Sequence, residues 1–205
     1  MIKGIIFDLG NVLIDFDHRI AAERISCFSD KNAEDIYNLF FDSALTATFE
    51  KGKISPQDFF LSLKQMLNLN IDYQTFLPIW NEIFFLTQKN QAVYQLAKGL
   101  KSRYHTALLS NINKLHFEYL KDKFTVFDAF HRLFTSYELG YRKPEPEIYE
   151  KALGLLGLAP EECFYTDDRQ ELVEAALKMG INAFVFSNVA KLKESLAETG
   201  INVCV

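Results

Sequence analysis

Residues 2–13, IKGIIFDLGNVL, open with a short apolar run that ends abruptly in an acid. Ile5, Ile6 and Phe7 have the β-branched and aromatic character of a buried strand, and the Gly10-Asn11 pair after them is a turn signal. Asp8 therefore stands at the carboxyl tip of a strand, where an unpaired carboxylate is costly. It either caps the turn that follows or meets a ligand there.

The same short apolar run recurs at 104–109 (YHTALL), 162–166 (ECFYT), 182–186 (NAFVF) and 201–205 (INVCV). Helical patterns lie between them, near 88–101, 113–123, 145–156, 169–179 and 188–198. Pro144 and Pro146 with Glu145 and Glu147 mark one helix start, where proline and acids are favoured. Strands alternating with helices predict an α/β fold, a Rossmann-like parallel sheet covered by helices on both faces. Residues 16–86 break the alternation. They show helical patterns at 18–28, 32–42, 55–68 and 73–85 and no convincing strand. Ser55-Pro56-Gln57-Asp58 supplies a capping signal, and Pro78 is expected to kink or divide the last helix. The chain thus reads as a core formed by 1–15 and 87–205, with a small all-helical cap, 16–86, inserted after the first strand. Ligands of open α/β sheets bind beyond the carboxyl ends of the strands, so such an insertion hangs over the site as a lid.

Composition narrows the function classes. A 205-residue chain that is 49% hydrophobic and 24% charged is an ordinary globular protein, and it buries roughly 70% of its surface without help from disulfides or metals. The 19 phenylalanines, many within the first 90 residues, read as filling for a helical core. A net charge of -5 leaves no footprint for nucleic acid or an anionic membrane. Cys27, Cys163 and Cys204 are too scattered for a zinc site or a disulfide framework, which fits reduced thiols in the cytoplasm. No stretch approaches a signal peptide or a membrane span.

Four patches at strand ends carry the chemistry. The first is Asp8 with Gly10. The second is Ser110-Asn111, which offers a hydroxyl and backbone N–H groups to an anion or simply caps a helix. The third, Gly140-Tyr141-Arg142-Lys143-Pro144, puts Lys143 at a helix start, where a cation needs an anion nearby; Arg142 beside it reads as a solvated side chain. The fourth, Phe164-Tyr165-Thr166-Asp167-Asp168-Arg169, ends in adjacent acids that repel and call for a cation. Mg²⁺ suits them, because it takes oxygen ligands from one or two carboxylates. The plainer alternative has Asp168 capping the next helix and Asp167 pairing with a lysine.

In this order the patches FDLGNVL, LLSN, LGYRKPEPEIY and FYTDDR resemble the four motifs of the haloacid dehalogenase superfamily. The likeness covers essentially the whole chain, cap included. Within that superfamily the sequence is similar to the FDLGNV-type phosphatases, including the α-D-glucose-1-phosphate phosphatase type. FEKGKIS (Phe49 to Ser55) and SNINKLHFEYL add to the likeness. The resemblance implies a hydrolase, a Mg-dependent phosphatase acting on a small phosphorylated metabolite of the sugar phosphate type. It makes Asp8 the nucleophile that forms an aspartyl-phosphate, with Ser110, Asn111 and Lys143 holding the phosphate. It assigns the metal to Asp8, the Gly10 backbone carbonyl and Asp167, and leaves Asp168 as an outer ligand or a supporting partner. A monomer or weak dimer is expected.

Two positions depart from the pattern. Phosphatases of the superfamily usually carry a second Asp, a general acid/base, two residues after the nucleophile; here Gly10 stands there. A general acid contributes about 10²–10⁴-fold. Either another group protonates the leaving oxygen, with Asp15, Asp17 or a cap residue as candidates, or the substrate has a good leaving group, or turnover is slow or absent. Leu172 replaces a polar residue of the fourth motif, so Glu171 substitutes for that metal contact or the contact is missing. The rival readings are a metal-independent 2-haloacid dehalogenase, which the Asp167-Asp168 pair opposes, and a non-catalytic interaction protein that keeps the fold. Phe40, Phe41, Phe49, Phe60 and Trp80 are expected in the cap core rather than in the pocket, and His18 and His116 are expected to be structural.

Overall fold

The computed structural model describes residues 1–41 and 43–203. Strand β1 (Gly4–Phe7) leads into β2 (Asp15–Phe16) and then into helices α1 (His18–Ser26), α2 (Ala33–Phe41), α3 (Ala44–Glu50), α4 (Pro56–Met66) and α5 (Tyr73–Asn81). After β3 (Phe84–Phe85) come α6 (Gln88–Leu100), β4 (His105–Ser110), α7 (Lys114–Lys123), β5 (Arg132–Thr135), α8 (Ser136–Leu139) and α9 (Pro146–Leu156). The chain continues with β6 (Cys163–Asp167), α10 (Gln170–Lys178), β7 (Asn182–Val185) and α11 (Val189–Glu198).

Five strands form one parallel sheet in the order β5-β4-β1-β6-β7. Side chains alternate across a strand, and β1 shows it. Ile5 and Phe7 face the layer of α6, α7 and α11 with Leu96, Leu120 and Leu196, whereas Ile6 faces Tyr149 and Ala176 of α9 and α10. Both faces are thus covered, as a parallel sheet requires. The carboxyl ends of β1, β4 and β6 lie side by side, which brings residues 8, 110 and 167 to one edge.

Helices α1 to α5 share a separate apolar cluster that includes Phe49, Phe59, Phe76 and Trp80, closed against the sheet layer by Leu115 of α7. Phe49 and Phe59 stack at 4.2 Å, and Trp80 lies 5.6 Å from Phe76. These rings are essentially fully buried, and burying a ring of this size contributes roughly 2–3 kcal/mol, which is what the phenylalanine enrichment supplies. Ser55, Asp17 and Asn113 cap α4, α1 and α7 by accepting backbone N–H groups.

Several expectations need correction. The 16–86 stretch is not free of strands: β2 and β3 pair antiparallel, Asp15 with Phe85 and Phe16 with Phe84, so the two crossings run together. The helix expected over 73–85 ends at Asn81 to make room for β3, and Pro78 sits within α5 without dividing it. The strand β5 escapes sequence reading because its four residues, RLFT, show too short a pattern and begin with an exposed arginine. Ile201 to Val203 form no strand; Ile201 is buried beside α11, and residues 204 and 205 of that expected strand lie outside the described residues. The same is true of residue 42 at the end of the helix expected over 32–42.

The α3 end reaches down to the sheet layer. Gly52, at φ +65°, packs so closely that a Cβ there would lie 2.3 Å from the Tyr137 carbonyl oxygen. Only glycine tolerates both conditions. On its N-terminal side Glu50 pairs with Arg142 at 2.7 Å, and Lys51 pairs with Glu145.

Candidate active site

Asp8 leaves β1 with its backbone N–H donating to the Thr166 carbonyl at 2.9 Å, which fixes it beside the end of β6. Its carboxylate accepts from Lys143 Nζ at 2.6 Å. The same ammonium donates to Asp167 at 2.6 Å and to the Leu109 carbonyl at 3.0 Å, so all three of its hydrogens are used. Lys143 and Asp167 have side chains only 1% exposed, and Asp8 only 9%. The puzzle of a cation at the start of α9 is resolved by these two acids.

Asn111 holds the loop that carries Lys143. Its amide donates to the Lys143 carbonyl and its oxygen accepts the Lys143 N–H, both at 2.8 Å. Ser110 is buried at the end of β4 and lines the same cavity. Asp168 accepts from the Asn11 amide at 3.0 Å, and Asn11 takes a positive φ of 55° to turn the chain there.

Asp8, Asp167 and Asp168 each offer an oxygen within 4.8 Å of the others. Lys143 bonds two of these carboxylates, and the third, Asp168, bonds Asn11. Burial, more than any neighbour, pushes the Asp8 carboxyl up to about 7; the Lys143 charge opposes this, and Asp167 and Asp168 add to it. Burial also pushes Asp167 up, but the Lys143 charge and the hydrogen bonds from Lys143, Tyr165 and the Arg169 N–H hold it below the usual carboxylate range. Asp168 is raised, chiefly by burial. Burial disfavours the Lys143 charge, yet Asp167 and Asp8 outweigh it and raise this group above its ordinary value. Such a surplus of buried negative charge fits a divalent cation with oxygen ligands.

The cavity above these groups has a volume of about 490 Å³. Asp17, His18, Tyr37, Thr46, Glu50 and Trp80 form its far wall, contributed by α1, α2, α3 and α5. Trp80 therefore belongs to the pocket as well as to the apolar cluster. Phe49 and Phe60 stay within the cluster, and the side chains of Phe40 and Phe41 lie outside the described residues. His18 and His116 both line the cavity. His116 is committed: Nε2 donates to the Trp80 carbonyl and Nδ1 accepts from the Asn113 amide, both at 3.0 Å, with the ring stacked on Trp80.

Arg142 is not the solvated side chain expected from sequence. It is half-buried, pairs with Glu50 and lines the cavity, because α3 brings a carboxylate over its loop. Glu171 is exposed, paired with Arg169 and not one of the three clustered acids. Leu172 lines the cavity, and its carbonyl accepts from the Tyr149 hydroxyl at 2.9 Å. Asp15 is spent on Lys89 at 2.8 Å and Asn90 at 2.9 Å and is not on the cavity wall, whereas Asp17 is. The place of a side chain at Gly10 is taken: a Cβ there would meet Phe16 Cε1 at 2.8 Å.

Two participants went unread in the sequence. Tyr165 donates its hydroxyl to Asp167, and its position two residues earlier on the same strand, hence the same face, was the available signal. Asn11, which bonds Asp168 across the sheet edge, had no local signal beyond its turn propensity.

The haloacid dehalogenase-like hydrolase family matches residues 2–180, and the chain belongs to that family of hydrolases. Among individual relatives, it is 26% identical to the D-ribitol-5-phosphate phosphatase of Bacteroides thetaiotaomicron over 202 residues, 96% of this chain and 97% of the relative. A crystal structure of a family enzyme from that organism, in complex with magnesium and inorganic phosphate, is similar with a TM-score of 0.80 at 27% identity, covering 92% of this chain and 96% of that one. The L-2-haloacid dehalogenase of Xanthobacter autotrophicus with chloropropionic acid covalently bound shares the fold at a TM-score of 0.64 and 19% identity, over 98% of this chain and 85% of that one. Among the described residues no helix is long and apolar enough to cross a membrane.

Proposed function

We propose that this protein is a Mg²⁺-dependent phosphatase that hydrolyses a small phosphomonoester of the sugar phosphate type through an aspartyl-phosphate on Asp8. The observation that carries the reading is the cluster of Asp8, Asp167 and Asp168, the first two buried and sharing the Lys143 ammonium and the third half-buried beside them. The phosphatase relative and the magnesium–phosphate complex of a similar enzyme support it. Asp8, Asp167, the Gly10 carbonyl and Asp168 would hold the ion. When bound, the ion neutralises charge on the transferring phosphoryl group.

The chain's own groups supply the rest. An Asp8 oxygen attacks phosphorus, the bond to the alcohol breaks, and the leaving oxygen takes a proton from solvent. Water then attacks the acyl phosphate, releasing inorganic phosphate and restoring the carboxylate. Lys143 keeps the Asp8 oxygen oriented and faces the charge that develops beside it, while the Ser110 hydroxyl and the Asn111 N–H hold phosphoryl oxygens. With Gly10 blocked by Phe16 and Asp15 engaged elsewhere, Asp17 is the remaining carboxyl of the first-strand segment on the cavity wall. The helical cap is taken as 16–86 and the core as 1–15 and 87–205. Because the cap forms the far wall, the substrate is a soluble small molecule rather than a polymer.

Phosphate release from p-nitrophenyl phosphate, with Mg²⁺ and with chelator, tests the reading. Turnover is expected with Mg²⁺ only, and Asp8→Asn is expected to abolish it. Equal rates for Asp8→Asn and the parent protein would remove Asp8 from the reaction. Chloride release from a 2-haloacid in chelator would replace the phosphatase with a dehalogenase.

A further inference from the structure

Among the described residues the cavity wall carries three permanent cations, and each is already paired. Lys143 is bound by Asp8 and Asp167, Arg169 by Glu171, and Arg142 by Glu50. Among the described residues five carboxylates line the same wall: Asp8, Asp17, Glu50, Asp167 and Asp168. A divalent cation and the phosphate of a substrate leave no positive charge over for a second anion. Arg142 is the one of these three that pairs with a residue of α3, Glu50, at 2.7 Å.

We infer that Glu50 and Arg142 act together as a charge filter, so that the site takes phosphomonoesters of a neutral, hydroxyl-bearing alcohol and turns away those with a second anionic group. This rests on the phosphatase reading above. A second carboxylate or phosphate has two options. It can sit beside Glu50 and Asp17 and be repelled. Alternatively, it can take Arg142 from Glu50 and break the ion pair of a carboxylate only 17% exposed. Specificity then comes from a repulsive element as much as from an attractive one. The pair is held in place from both sides: Gly52 packs on Tyr137, and Glu145 accepts the Arg142 N–H at 3.1 Å while pairing with Lys51.

The test uses glucitol phosphate and phosphogluconate, which differ only in a CH₂OH against a carboxylate at the end remote from phosphate. Their inhibition constants are measured against Mg²⁺-supported hydrolysis of p-nitrophenyl phosphate, so neither needs to be a good substrate. The parent protein is expected to bind the neutral compound roughly ten-fold or more tighter. Glu50→Gln removes the carboxylate paired with Arg142 and is expected to shrink that ratio by roughly ten-fold, whereas Arg142→Gln removes the cation and keeps the Glu50 charge, and is expected to hold or enlarge it. Reading a ratio within each variant cancels any common loss of activity, and a purely structural salt bridge would move both variants in the same direction. No preference in the parent protein, an unchanged ratio in Glu50→Gln, or failure of both compounds to compete would overturn the filter while leaving the phosphatase intact. No hydrolysis of p-nitrophenyl phosphate by the parent protein would overturn the phosphatase reading and the filter with it.

Discussion

Replacing Lys143 with methionine keeps the aliphatic stem and removes the ammonium shared by Asp8 and Asp167. The ammonium makes two charged hydrogen bonds of 2.6 Å to carboxylates that are themselves nearly inaccessible. Removing one partner of a buried ion pair costs about 3–5 kcal/mol. Here two acids lose their cation at once, and the Leu109 carbonyl loses a donor, so the upper part of that range is expected. Against a typical domain stability of about 5–15 kcal/mol, the variant stands near the edge of folding when measured in chelator. Urea unfolding reads this directly. Added Mg²⁺ is expected to return part of the loss, because a divalent cation opposes the same carboxylates. The pH dependence has a definite sign. Asp8 already titrates near 7 in the folded protein, above its ordinary 3.8, and loss of the ammonium raises it further. A folded acid with a raised value binds its proton before the unfolded chain does. The Asp8 part of the Lys143→Met deficit therefore shrinks as pH falls toward about 7, and the Asp167 part, a group that Lys143 holds below the usual carboxylate range, goes on shrinking with further acidification. A deficit below about 1 kcal/mol at neutral pH in chelator, or one that grows on acidification, would refute the reasoning.

Other consequences are equally direct. Gly10→Asp is expected to destabilise the protein by about 1–3 kcal/mol and to give no gain in turnover, because its Cβ meets the Phe16 ring; adding Phe16→Ala should relieve the clash, and a rate rise in the single variant would contradict this. Burial lowers His116 to about 3 and His18 to about 4, both well below 6.5. The unfolded chain therefore takes up these protons first, and stability falls below pH 6.5 by up to about 1.4 kcal/mol per unit for each histidine until the folded values are reached. Unfolding curves for His116→Gln should be flatter over that window, and identical pH slopes would count against it. Trp80→Ala, which removes a ring shared by the cluster and the cavity wall, is expected to lower stability by about 3–5 kcal/mol in thermal or urea unfolding.

Much of the fold was legible because its signals are local. The apolar runs before Asp8, Ser110 and Asp167 announce strands, and the capping residues at 55–58 and Pro146 announce helices. What stayed hidden depends on contacts distant in sequence. β5 is too short to show a period, and β2 and β3 are two-residue strands that exist only because they pair with each other. Lys143 was legible as a cation in need of acids, since its place at a helix start is unfavourable alone. Arg142 looked identical in kind, and only the fold of α3 supplies Glu50. The missing acid at Gly10 was visible as an absence, but the ring that fills its place comes from Phe16, six residues on and across a turn. Motif spacing carries the strand ends to one edge; it does not specify which side chains of the inserted helices face that edge.

The central claim is that Asp8 carries the phosphoryl group. The most direct measurement quenches the protein during turnover with Mg²⁺ and a phosphomonoester, reduces it with borohydride and maps the modified peptide by mass spectrometry. Reduction of an aspartyl-phosphate yields homoserine, so the account predicts homoserine at position 8 and nowhere else. An unmodified Asp8 during active turnover, or a label on another residue, would contradict it.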